Sequence, residues 1–125
     1  MMRWSPTACR AVVDLLGDDL IINHPQVRPL QKHTPALLHH VGLYIALSLA
    51  HEILYLGMTE RLHASSATGV RLREHLTEPE KYDSWKAVVE LPLREDLERH
   101  QVLRHESRVG LLLGRPGGHQ RRAKY

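Results

Sequence analysis

The feature that most limits how this chain can fold is an apolar run over residues 37–58, LLHHVGLYIALSLAHEILYLGM. Read as one helix at ~1.5 Å per residue, it extends about 33 Å, enough to cross a hydrocarbon core of about 30 Å. Residues 41–50 carry no charge, His51 and Glu52 interrupt, and 53–58 resume the apolar run. At about 100° per residue, His40, Tyr44, Ser48, His51, Glu52 and Tyr55 gather on one side as a polar membrane stripe. Gly42, Ala46, Ala50 and Gly57 fall on the opposite side as a helix-packing face. The first three form a small-xxx-small series, which lets a second helix approach closely in a bilayer. Polar groups inside a membrane face protein or water rather than lipid. One such helix therefore needs neighbours from other subunits, and the pattern predicts a transmembrane helix over 36–62.

The flanking segments read as helical or extended. Residues 8–21 place Val12, Val13, Leu15, Leu16, Leu20 and Ile21 at helical spacing. Residues 22–35 hold Pro25, Pro29 and Pro35, which remove backbone donors and favour an extended connector. Thr34 and Pro35 then suit the start of a helix. After the loop 63–69, a more polar helical region is expected from 71 to 105. There Trp85, Val89, Leu93 and Leu97 recur every four residues, and Arg94/Glu98 and Glu95/Arg99 stand at i,i+4. Pro92 should bend that region. The fold class expected is all-α: one transmembrane helix, an extended connector and amphipathic helices, with no independent compact core. The parts are 1–35, 36–62 and 63–125.

Charge and composition restrict the function. The formal net charge is +3, and Arg115, Arg121, Arg122 and Lys124 give the C-terminal tail a basic character. Such a tail suits nucleic acid, anionic lipid or an acidic protein. Phe is absent, so the apolar content is mainly aliphatic. Cys9 is the single cysteine, which excludes an internal disulfide or a cysteine-based metal cluster. The opening MMRWSPTACR places Arg3, Ser5, Thr7 and Arg10 before any acid, like an organellar targeting signal, here retained.

Ten histidines raise the question of metal or haem. His51-Glu52 begins like a zinc-protease helix, but Tyr55 stands where the second histidine belongs. His40 and His51, three helical turns apart, are about 16 Å from one another by helix rise and cannot share an ion. His100 and His105 lie among charges and read as surface residues. The glycines of GRPGG (114–118) lack the lysine and strand–helix context of a phosphate loop. Glu52, costly if unpaired in lipid, is assigned an interfacial hydrogen bond. No catalytic, cofactor-binding or metal residue is expected.

Two resemblances bear on the context. Within EKYDSWKAVVELPLREDLER (80–99), Glu80-Lys81, Ala87-Val88-Val89, Pro92, Glu95 and Arg99 follow one another as in the GRIM-type accessory subunit of mitochondrial respiratory complex I, which this segment resembles. That likeness implies a membrane helix followed by a charged helix, and no catalytic residues. LLHHVGLYIAL is similar to the histidine-containing membrane anchors of succinate dehydrogenase.

The expectation is a non-enzymatic structural accessory subunit of an energy-transducing complex of the mitochondrial inner membrane, complex I favoured, without cofactors. Its partners would be other subunits and the lipid bilayer, with neither nucleic acid nor a small-molecule substrate. Two alternatives are a small basic mitochondrial ribosomal protein, supported by the tail, and a haem-ligating anchor using His40 or His51.

Overall fold

The first helix, α1 (Pro6–Leu16), begins at Ser5, whose Oγ accepts the Ala8 N–H at 3.1 Å, with Pro6 in the first turn. This is how serine and proline start a helix, since one satisfies an orphan donor and the other has none to satisfy. Gly17, at φ 58°, stops it in a conformation that costs glycine nothing. A single 3-10 turn, Gly17–Asp19, follows. The computed structural model describes residues 2–30, 39, 41–58, 84–114 and 116. After α1 come strands β1 (Val27–Pro29), β2 (Gly42–Leu47), β3 (Ile53–Met58) and β4 (Ala87–Pro92), then helix α2 (Arg99–Leu112).

The four strands form one antiparallel sheet in the order β1-β4-β2-β3. One face of it, carrying Leu43, Ile45, Leu47, Leu56, Met58, Val89 and Leu91, joins the main core. Helix α2 packs on β2 and β3 and meets α1, while Val12 and Leu16 of α1 and Val102 and Val109 of α2 enter the same cluster. The other face carries Tyr44, Ala46 and Val88 in a second buried cluster with Trp85. Every residue of β2 and β4 is thus buried.

The fold is mixed α/β, which overturns the all-α expectation and its membrane span. Within 36–62, residues 42–47 and 53–58 are two strands of a hairpin, not one helix. Among the described residues no helix is long and apolar enough to cross a membrane. The physical reason is that a strand buried on both faces is apolar at consecutive positions, so it shows no alternation and imitates a helix. The segment 87–92, expected within a helix, is likewise a strand, and Pro92 ends it opposite Gly42.

The hairpin turn is also unmarked in the sequence. Residues 48–52, SLAHE, contain no Gly, Pro, Asn or Asp. The Ser48 carbonyl accepts the His51 N–H at 3.0 Å, and the Ser48 N–H donates to the Glu52 carbonyl at 3.0 Å. His51 occupies the left-handed region at φ 64°. Such three-residue hairpin loops favour glycine at that position.

The ends of the fold are tied at Asp19. Its carboxylate lies 2.9 Å from Arg94 Nη2 and 2.8 Å from His105 Nε2, and its carbonyl accepts the Arg94 N–H at 2.9 Å. His105 was expected on the surface. It is 8% exposed and links α2 to the turn after α1. His100 does lie at the surface, beside Glu98.

Two stability measurements check these points. His51→Gly should raise the urea midpoint, corresponding to about 0.5–1 kcal/mol, because the left-handed backbone no longer carries a β-carbon. Asp19→Ala should lower stability by about 1–3 kcal/mol, because His105 then keeps a buried ring nitrogen without its acceptor.

Candidate functional site on the second sheet face

The polar residues that could do chemistry collect on the sheet face turned away from the helices. Antiparallel register sets them in rows, because directly paired residues project to the same side. One row runs Glu90, Tyr44, Gly57 across β4, β2 and β3. The next runs Arg28, Val88, Ala46, Tyr55 across all four strands.

Gly57 is what lets Tyr44 lie where it does. A β-carbon at position 57 would stand 2.5 Å from Tyr44 Cζ and 2.6 Å from its hydroxyl oxygen. The phenol therefore rests directly on the β3 backbone, and Tyr44 is fully buried there. The Tyr44 and Tyr55 rings stack with centroids 6.1 Å apart and planes at 22°, and Trp85 follows at 5.0 Å from Tyr55. Offset stacking of this kind restrains ring orientation.

Beside Tyr44, Glu90 is a carboxylate only 8% exposed. The His39 N–H donates to Glu90 Oε2 at 3.3 Å, and His39 Nδ1 lies 3.0 Å from Glu90 Oε1. A buried carboxylate is tolerated when it accepts hydrogen bonds and has a cation-capable neighbour. The result is two phenols, a carboxylate and an imidazole on one face, with at least one proton acceptor and several donors.

The residues singled out from sequence divide differently from the expectation. Tyr44 and Tyr55 share this face, as expected of a stripe, but so do Gly42, Ala46 and Gly57, which a helix would put opposite. Ser48, Ala50, His51 and Glu52 belong to the hairpin turn instead. There Ser48 Oγ accepts the Glu52 N–H at 3.0 Å, and the Ala50 carbonyl accepts from Arg3 Nε at 3.0 Å. Glu52 is half-buried at the hairpin end, not on a helix. Gly42 has a separate role, since a β-carbon there would come within 2.7 Å of the Leu91 carbonyl oxygen. His40 and the basic tail residues Arg115, Arg121, Arg122 and Lys124 lie outside the described residues.

Glu90 and His39 were not singled out in the sequence. A signal for the site was present, however. Gly42-Leu43-Tyr44 and Tyr55-Leu56-Gly57 are mirror-image tripeptides. Antiparallel pairing sets the tyrosine of the first on the glycine of the second. Elsewhere, Cys9 lines a small cleft with Trp4, Pro25 and His51, and burial pushes its thiol up from the ordinary value. That favours the inert thiol over the reactive thiolate. Among the described residues no group of three or more metal-ligating side chains occurs.

Comparison of the chain with protein-family models, with curated proteins and with solved structures found no match.

The fit of Tyr44 over Gly57 can be measured directly. Gly57→Ala should lower stability by about 1–3 kcal/mol, as overpacking does where neither partner can retreat. The double variant Gly57→Ala/Tyr44→Leu should recover part of that loss. A urea midpoint for Gly57→Ala equal to that of the parent protein would show that the ring has room to move.

Proposed function

We propose that the second sheet face is an acid–base site and that the protein hydrolyses phosphodiesters in a nucleic acid. The observation that carries this reading is the row Glu90–Tyr44–Gly57, in which a buried carboxylate adjoins a phenol fixed by close packing. Proton transfer by positioned groups of this kind contributes roughly 10²–10⁴-fold to rate. Fixed geometry supplies more, because the groups need no reorganisation at the moment of reaction.

Charge supports this choice of substrate class. The chain is basic, with a net charge of +3 and a pI near 9.3, and Arg28 stands on the same face as the tyrosines. A phosphodiester is anionic and repels a nucleophile unless positive charge compensates. In hydrolysis the oxygen of water bonds to phosphorus while one ester P–O bond breaks. The water proton passes to an acceptor, and the leaving oxygen takes a proton from a donor. Tyr55 and His39, the half-buried members of the patch, hold both capacities together with Glu90, and the fully buried Tyr44 positions Tyr55 through the ring stack. Carboxylates at such sites also take Mg²⁺ together with substrate phosphate, so assays should contain a divalent cation.

This departs from the expectation of a non-enzymatic subunit with no nucleic-acid partner, which rested on the lack of a recognisable catalytic motif and on a resemblance that implies no catalytic residues; the hairpin removes only the membrane helix from that argument. A subunit role in a larger assembly keeps one supporting observation. Met2 and Leu112 are exposed and line an apolar cleft with Ala8, Ala11 and Leu113. It would become the preferred reading if Leu112→Glu alone dissociated the protein from a native complex while every variant of the tyrosine face behaved as the parent.

The deciding assay uses labelled single-stranded DNA and RNA and a small aryl phosphodiester, with Mg²⁺ or Mn²⁺. Cleavage is expected, and Tyr55→Phe and Glu90→Gln should each lower kcat by about 10²-fold or more with circular dichroism unchanged. Equal turnover by the parent and both variants would remove the assignment.

A further inference from the structure

Helix α2 turns one side to water, and that side changes character along its length. Val102, Val109 and Leu113 belong to the core, whereas Arg104, Arg108, Leu111 and Leu112 share about 100° of arc on the outer side. All four of these are exposed. Among the described residues neither guanidinium has an ion pair or a hydrogen bond. The last turn of the helix holds no basic residue, although the helix dipole favours cations there. Leu111, 57% exposed, and Leu112, 39% exposed, stand in that turn instead. Helix stability alone does not account for this order, and apolar surface rimmed by charge marks a contact site. Leu112 also borders a cleft of about 230 Å³ between α1 and the end of α2, lined with Met2, Ala8, Ala11 and Leu113. An apolar cavity of about 150 Å³ already holds a benzene ring, so this cleft has room for one large apolar side chain.

We propose that this side of α2 binds a short helix of a partner protein. An apolar side chain of that helix sits in the cleft, and acidic side chains one and two turns away meet Arg108 and Arg104. The spacing is helical on both sides: Leu112 lies about 6 Å along the axis from Arg108 and about 12 Å from Arg104. A concave apolar seat calls for a discrete side chain, which neither a flat lipid surface nor a phosphodiester backbone supplies. An amphipathic helix delivers that side chain together with carboxylates at the matching interval. Carboxylates are the complement because both cations stand without a partner, and such charges set specificity and speed association. The surface belongs to the helix layer, on the side of the sheet away from Tyr44 and Tyr55. It therefore holds or fails independently of the acid–base reading.

The test uses the full-length protein and two fluorescein-labelled, alanine-rich helical peptides, with binding followed by anisotropy. Each peptide carries one leucine, with glutamates one and two turns before it in the first and after it in the second. The pair covers both directions in which a bound helix can run. One of them is expected to bind, and its counterpart with lysine in place of glutamate is not. Leu112→Glu should weaken binding about tenfold or more. The double variant Arg104→Gln/Arg108→Gln should weaken it about tenfold and remove most of its salt dependence. These side chains are exposed, so circular dichroism and the urea midpoint should match the parent. If Leu112→Glu shifts the midpoint, Met2→Gln reads the same cleft. Absence of binding by both peptides up to about 1 mM would overturn the inference, as would equal affinity for the parent and all variants. Two further outcomes would overturn it by naming another occupant, each in the absence of peptide binding. Leu112-dependent sedimentation with phosphatidylglycerol vesicles would assign the surface to lipid, and a dimer broken by Leu112→Glu would assign it to a second copy of this chain.

Discussion

Two strands buried on both faces set the terms for everything else. β2 and β4 lie at the centre of the sheet, and none of their residues is open to water. A sheet in that position needs an apolar layer on each side, and the helices supply only one of them. On the other side Tyr44, Ala46 and Val88 are buried with Trp85, and Leu30, Leu54 and Tyr55 pack against them. Putting Glu90 on that buried face makes sense only with a hydrogen-bonding neighbour, which His39 provides. The candidate site is thus a consequence of how the central strands are covered, and its groups are held by the core itself.

That same two-sided burial hid the architecture. Alternation of polar and apolar residues is the signature of a half-exposed strand, and β2 and β4 have no half-exposed face to show it. The usual punctuation was missing too: SLAHE turns the chain with histidine where glycine or asparagine would have announced a hairpin. By contrast, α1 was legible, because its apolar residues keep helical spacing. Its observed end at Leu16 reflects Gly17, which the expected range of 8–21 ran past.

The site was half legible for the same reason. Tyr44 and Tyr55 drew attention as polar residues in an apolar run, yet a helix and a hairpin assign them different companions. On a helix their neighbours are Ser48, His51 and Glu52. On the sheet they are Gly57, Ala46 and Glu90. Glu90 comes from a strand distant in sequence, and no local pattern connects it to Tyr44. Histidine was misjudged in a related way: His105 sits among charges in the sequence, but only the fold brings Asp19 to it.

The clasp at Asp19 joins residues 86 positions apart, and α1 meets α2 across the same interval. During synthesis the chain emerges from the ribosome N-terminus first, at roughly 5–20 residues per second. The nascent hairpin and α1 therefore wait several seconds, with apolar surfaces uncovered, until residues 99–112 clear the exit tunnel. A core that closes only with its last helix makes the unfinished chain a natural client for chaperones, and makes truncation before α2 more damaging than its small share of the length suggests.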